Sequence, residues 1–268
     1  MKNRIDAVFE RLRASGQKAF MPFIAAGDPD MGTSAQILRE CARRGADLIE
    51  FGIPYSDPVA DGPAIQAAFT RALDAGATVQ GAFSAVRELR RELDAPICAM
   101  LSFSVVHRIG PDAFMKRAAE AGIDGAIVPD LPVEEADDVI RAAEANGLNM
   151  VFLVAPTTTE QRLRLIVEHG KGFIYCVSVA GVTGTRDRLP DELVGRVRHL
   201  RDVTNLPIAV GFGISKPEQV RQVVSVADGA IVGSALVKAI EAACASNRDP
   251  VKAAGDCVEH LAAPTKEG

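Results

Sequence analysis

Eight short apolar runs recur along this chain, each followed by a loop and then by a longer helical pattern. This alternation constrains the fold more than any other feature. The runs fall at 19–25, 48–51, 97–101, 125–128, 149–154, 172–177, 208–210 and 229–232. Helical spacing of apolar residues fills the intervals near 33–44, 64–92 (with a break expected at Gly76), 112–121, 134–145, 160–169, 190–203, 217–226 and 234–245.

Strands that are apolar almost without interruption are buried on both faces, the condition of parallel strands covered by helices. Eight such units in 268 residues predict an α/β fold, a single (β/α)8 TIM barrel domain over 1–268; barrels of this kind are built from about 250 residues. Ile5, Val8, Phe9 and Leu12 recur at helical spacing ahead of the first run, so an N-terminal cap helix is expected. A polar, mobile tail is expected from about 263. A doubly wound open sheet is the competing architecture. Against it, the loop after the first run reads Ala26-Gly27-Asp28-Pro29-Asp30 and lacks the G-x-G-x-x-G of dinucleotide folds.

Composition narrows the function. The net charge is −5 with scattered basic residues, which gives no footprint for nucleic acid. The cysteines, Cys41, Cys98, Cys176, Cys244 and Cys257, form no CxxC and no Cys/His cluster. They read as small core residues of a reducing compartment, and no metal-ligand spacing is visible. No apolar run reaches the roughly 18 residues of a membrane span, so a cytoplasmic protein without membrane contact is expected.

In a barrel the active site lies in the loops after the strands. Glu50 stands inside the second apolar run, although Glu is seldom buried without a partner. It is either a carboxylate tied up by hydrogen bonds or a catalytic acid–base on a rigid strand, with Asp61 brought near by the loop 52–62. Gly211-Phe212-Gly213-Ile214-Ser215 follows the seventh run, and Gly233-Ser234 follows the eighth and opens a helix. Glycines and unpaired helix N–H groups at these two loops suit a phosphate; turn-making and N-capping are the plainer alternative. The segment 180–188 has the length and glycines of a lid. Tyr175 in the sixth run either fills the core or presents its hydroxyl in the barrel mouth. Asp130, after the fourth run, suits loop bracing at least as well as catalysis. None of the four histidines is well placed for chemistry, which leaves a carboxylate mechanism.

At these residues the sequence resembles the tryptophan synthase alpha chain family over roughly 5–245. The most specific match runs from Glu50-Phe51-Gly52-Ile53-Pro54-Tyr55-Ser56-Asp57-Pro58 through Ala60-Asp61-Gly62-Pro63 to Ile65-Gln66. Pro22-Phe23, Gly27-Asp28-Pro29, Val128-Pro129-Asp130-Leu131-Pro132, Gly181-Val182-Thr183-Gly184, Gly211-Phe212-Gly213-Ile214-Ser215 and Gly233-Ser234 follow in the family's order. The resemblance implies a lyase that cleaves indole-3-glycerol phosphate to indole and glyceraldehyde 3-phosphate. It implies no cofactor in this chain, and a pyridoxal-phosphate-dependent beta chain as partner in an alpha2beta2 heterotetramer. Carried over by position, Glu50 is the acid–base and Asp61 the second catalytic carboxylate. Phe23 helps form the indole pocket and Tyr175 lies near the reacting centre. Thr183 is a lid residue, and Gly184, Gly213, Gly233 and Ser234 bind the phosphate.

One stretch departs from the family. After the third run a Tyr-x-Asn-Pro pattern is usual, whereas this chain has Ser102-Phe103-Ser104-Val105. In the family that segment faces the beta chain, so the change bears on partner affinity and coupling more than on chemistry. The arginine that often precedes the Gly-Val-Thr-Gly loop is Val179 here. A stand-alone indole-releasing lyase and a non-catalytic barrel that binds a phosphorylated ligand are the alternatives; retention of both Glu50 and Asp61 argues against the second.

Overall fold

The computed structural model describes residues 2–59, 61–177, 189–211 and 213–267. Its strands are β1 (Ala19–Ala25), β2 (Ile49–Gly52), β3 (Ile97–Met100), β4 (Gly125–Ile127), β5 (Asn149–Val151), β6 (Leu153–Val154), β7 (Ile174–Val177), β8 (Ile208–Gly211) and β9 (Gly229–Val232). Neighbours follow the order β5-β4-β3-β2-β1-β9-β8-β7-β6. β5 and β6 are halves of one apolar run parted by Phe152, so the two ends of this order meet within a single segment and the sheet curls into a barrel. Backbone bonds run past the break, from Lys171 N–H to Met150 O at 2.9 Å and from Tyr175 N–H to Phe152 O at 3.1 Å.

Strand alternation sorts the core into two layers. Met21, Phe23, Leu48, Cys98, Ile127, Val151, Phe173 and Ile231 fill the barrel interior. Their alternating neighbours, such as Phe20, Ile24, Ile49, Phe51 and Val210, pack outward under the helices. The cap helix forms at Arg4–Ala14, with the Asn3 side chain accepting from Ile5 N–H. It closes the N-terminal end of the barrel with Ile5, Phe9 and Leu12, and the Phe9 and Phe173 rings lie 5.7 Å apart.

Three aspartates just ahead of strands tie that same end together. Asp47, Asp124 and Asp228 each accept a backbone N–H from the adjacent strand, those of Phe20, Ile97 and Ile208, all at 2.9 Å. Each also meets cations: Lys266 at Asp47, Arg4 and Arg90 at Asp124, and Lys18 and Arg201 at Asp228. The carboxylates therefore serve as hydrogen-bonded rungs where the ladders begin.

The helical interval 64–92 is broken as expected, into Pro63–Asp74 and Val79–Leu89, with Gly76 at φ +82° between them. Two features differ from expectation. A helix at Phe103–Ile109, which the apolar spacing did not suggest, begins where the Ser102 side chain accepts from Ser104 N–H. At the C-terminus the chain stays helical over Pro250–Lys266, beyond the point where a polar tail was expected, because Thr265 is buried and Lys266 reaches Asp47. Cys41, Cys98 and Cys176 are core residues, whereas Cys244 is exposed and Cys257 half-buried.

Asp124 is 4% exposed, accepting from Arg90 at 2.6 Å and from Arg4 at 3.0 Å. Removing one partner of a buried ion pair strands the other charge, at a cost of about 3–5 kcal/mol. Asp124→Ala should lower the unfolding free energy by about that much, read from urea denaturation midpoints; a loss below about 1 kcal/mol would show the rung to be dispensable.

Candidate functional site

The site is built on β2. Ile49 and Phe51 face the helices, so Leu48 and Glu50 face the barrel axis. Glu50 stands in register with Phe23 of β1 and Cys98 of β3. It is 1% exposed, and among the described residues its Oε1 has no hydrogen-bond partner. Burial first, and then the negative charge of Asp61, push its pKa up from 4.5 to about 8. The reading of Glu50 as a carboxylate tied up by hydrogen bonds therefore finds no support in the geometry at Oε1.

Asp61 is held by the loop that leaves β2. Its backbone N–H donates to Pro58 O at 3.0 Å, and Gln66 Nε2 donates to Asp61 O at 2.7 Å. Its Oδ2 accepts from Tyr55 Oη at 3.0 Å. Burial pushes the Asp61 pKa up, the Tyr55 hydrogen bond opposes that, and the Asp130 charge adds to it. Tyr175, on β7, is driven well above the usual tyrosine range by burial and then by the charges of Glu50 and Asp61.

Two glycines make room for the aromatic rings there. A Cβ on Gly52 would lie 2.4 Å from Phe23 Cζ, and one on Gly211 would lie 2.7 Å from Tyr175 Oη. Phe23 continues into a wall with Phe69 (ring centroids 6.0 Å apart) and Tyr55 (5.4 Å from Phe69). Gly233 backs onto this wall, since its Cβ would lie 3.4 Å from Ile65 Cδ1 and 3.5 Å from Phe23 Cβ. The helix Ser234–Ala245 starts at Gly233 with no side-chain cap, so its first amides are open to an anion. Gly213 sits at φ +32°, a conformation that favours glycine.

Thus Phe23, Glu50 and Tyr175 stand within β1, β2 and β7, Asp61 in the loop after β2, Gly213 after β8, and Gly233 and Ser234 directly after β9. Thr183, Gly184 and the whole of the lid segment 180–188 lie outside the described residues, as do Ala60 and Phe212. Asp130 takes the bracing role. Its carboxylate accepts from Ser102 Oγ and from Phe103 N–H, each at 2.7 Å. His199 pairs with Glu160, and His107 packs on Phe103. No cluster of three or more His, Cys, Asp or Glu side chains able to hold a metal occurs among the described residues. Gly52, Tyr55 and Gln66 have no individual role in the sequence reading, and Gly211 has only that of a glycine in the loop suited to a phosphate. The signal for the two glycines is a small residue at a strand end beside a large ring.

Fold and site together define a (β/α)8-barrel protein with two carboxylates, Glu50 and Asp61, and a helix start without a side-chain cap in its C-terminal mouth. The family model for the tryptophan synthase alpha chain matches residues 9–266. The chain is 47% identical to the tryptophan synthase alpha chain of Carboxydothermus hydrogenoformans, covering 89% of this chain and 90% of that one. It is 46% identical to that of Rhodopirellula baltica, covering 94% and 93%. The crystal structure of tryptophan synthase subunit alpha from Legionella pneumophila superposes with a TM-score of 0.93 at 36% identity over the whole of both chains. A chain of Mycobacterium tuberculosis tryptophan synthase gives 0.89 at 36% identity, again over all of both. The chain belongs to the tryptophan synthase alpha chain family.

The raised pKa of Glu50 has a measurable consequence for stability. Between pH 4.5 and about 8 the folded state holds a proton on Glu50 that the unfolded chain has released. The unfolding free energy therefore falls as pH rises through that window, by an amount on the order of 5 kcal/mol once pH passes 8. Glu50→Gln should lose this slope and be more stable than the unsubstituted chain at pH 9, with a smaller gap at pH 5. Urea denaturation at pH 5, 7 and 9 checks it; an unchanged slope would mean Glu50 ionises as freely as in water.

Proposed function

We propose that this chain cleaves indole-3-glycerol phosphate to indole and glyceraldehyde 3-phosphate, with Glu50 as the acid–base and Asp61 as the charge-balancing carboxylate. The single observation that carries the reading is Glu50 itself, buried in the mouth with Oε1 unpartnered among the described residues. A pKa near 8 keeps it protonated at neutral pH and able to give its proton to carbon. Protonation of indole C3 leaves positive charge on the ring nitrogen, whose N–H an ionised Asp61 accepts. The C3′ hydroxyl then loses its proton to the Glu50 carboxylate. The C3–C3′ bond breaks with its electron pair returning to the ring, and C3′ becomes the aldehyde carbon. Each proton given is recovered, so the reaction needs no cofactor in this chain.

Phe23 and the wall behind it suit the indole, with Tyr175 beside the reacting carbon. Gly213, Gly233 and Ser234, together with Gly184 from the resemblance, suit the phosphate, with Thr183 on the lid. The whole chain 1–268 serves as one catalytic domain in the cytoplasm. It works with a pyridoxal-phosphate-dependent beta chain in an alpha2beta2 assembly. No helix among the described residues is long and apolar enough to cross a membrane.

The deciding experiment is indole release from indole-3-glycerol phosphate by the purified chain, with and without a beta chain. Glu50→Gln keeps the shape but cannot exchange the proton, so turnover should drop by about 10²-fold or more with analogue affinity little changed. Near-normal turnover would remove Glu50 from the mechanism. At the other end of the substrate, Gly213→Asp sets a carboxylate against the dianion. It should severely weaken binding of glycerol-phosphate analogues in calorimetry while the fold is kept; unchanged affinity in a folded variant would place the phosphate elsewhere.

A further inference from the structure

The two carboxylates of the mouth must differ for the reaction proposed above, because Glu50 has to carry a proton while Asp61 stays ionised. Burial works against ionisation at both. Hydrogen bonding is what separates them. Oε1 of Glu50 has no partner among the described residues, whereas Oδ2 of Asp61 accepts from Tyr55 Oη at 3.0 Å.

We propose that Tyr55 is a positioning residue for Asp61: its hydroxyl holds Oδ2, turning Oδ1 toward the substrate's ring N–H and keeping the carboxylate charged. This rests on the function proposed above. Tyr55 is built for the task. Its ring packs on Phe69, which packs on Phe23, so the hydroxyl projects from a fixed aromatic wall. The loop between Tyr55 and Asp61 is tied by the Asp61 N–H to Pro58 O bond, and by Gln66 Nε2 donating to Pro58 O at 3.2 Å and to Asp61 O. A half-buried phenol beside negative charge resists ionising, so it remains a donor across the working pH range.

The charged and titratable groups acting around Asp61 give the hydroxyl this weight. Asp130 adds negative charge from the loop after β4, and Glu50 and Tyr175 share the mouth from β2 and β7. Asp57 adds negative charge at Tyr55. No lysine or arginine of the described residues contributes to the shift at Asp61. Among the described residues Tyr55 is thus the group whose hydrogen bond favours the charged form of Asp61. A hydrogen bond to a carboxylate lowers its pKa, and its loss raises it.

The test is Tyr55→Phe, which keeps the ring and removes only the donor, in the full chain assayed with a beta chain present. If ionised Asp61 is needed, activity is lost as pH falls through its pKa. The acid limb of kcat against pH should therefore move up by about one unit, with kcat down about 10-fold at pH values below the limb, a smaller loss at neutral pH, and KM changed far less. In an Asp61→Asn background the same substitution should change kcat by less than about 2-fold, because its route of action is gone. NMR titration of the Asp61 carboxyl reads the same upward shift independently of turnover. A drop in kcat with an unmoved acid limb and an unmoved Asp61 titration would reduce Tyr55 to packing and overturn the proposal. Normal turnover in Asp61→Asn alone would instead sink the carboxylate assignment, and Tyr55's role with it. An inactive Asp61→Asn beside an unaffected Tyr55→Phe would sink the role of Tyr55 only.

Discussion

A carboxylic acid buried with no donor for Oε1 among the described residues keeps its place only if the frame around it cannot relax. Glu50 is such a group, and the barrel supplies that frame. β2 is hydrogen-bonded on both sides, to β1 and to β3, so the strand cannot swing out to hydrate the side chain. Packing under the helices fixes Ile49 and Phe51 on either side of it. The price of this arrangement is stability above neutral pH, and what it gains is a proton held at a fixed point. At the opposite end, Asp47, Asp124 and Asp228 are fully engaged by strand N–H groups and cations. One residue type or its homologue serves order at one rim and chemistry at the other, and the difference lies in what each oxygen meets.

The mouth also depends on an exchange of volume between adjacent strands. Phe23 and Tyr175 lean over neighbours that have no side chain, Gly52 and Gly211. Each ring thereby occupies space that a Cβ on the next strand would claim. This locks the two rings in place without polar contacts and leaves the polar groups of the mouth for substrate. The aromatic wall then passes through Phe69 to Tyr55, so the position of Asp61 is set partly by apolar packing several residues away.

Much of this was legible in the amino-acid order. The eight apolar runs each coincide with a strand or, at 149–154, with a pair of strands, because strands covered on both faces need unbroken apolar character. Glu50 stood out because nothing else charged interrupts the second run. The break at Phe152 was hidden, since Phe is as apolar as its neighbours and the interruption is one of backbone geometry. The helix Phe103–Ile109 was missed because seven residues carry little periodicity and its start is held by Asp130, remote in the chain. Which face of each strand turns inward was equally hidden, because both are apolar. Tyr55 lay in plain view inside the most specific motif, but a hydroxyl's aim across a proline-rich loop is a property of the fold and not of spacing.

β1 is flanked by β2 on one side and by β9 on the other, with Ala19 to Pro22 paired to Gly229 to Val232. At roughly 5–20 residues per second on the ribosome, the second partner emerges about 10–40 seconds after the first strand. Through that interval the nascent chain carries a seven-residue apolar strand with one edge unpaired, the kind of edge that invites pairing with another chain. Lys266, which grips Asp47 at the head of β2, arrives later still. The ring can therefore close only once β9 is available to pair with β1.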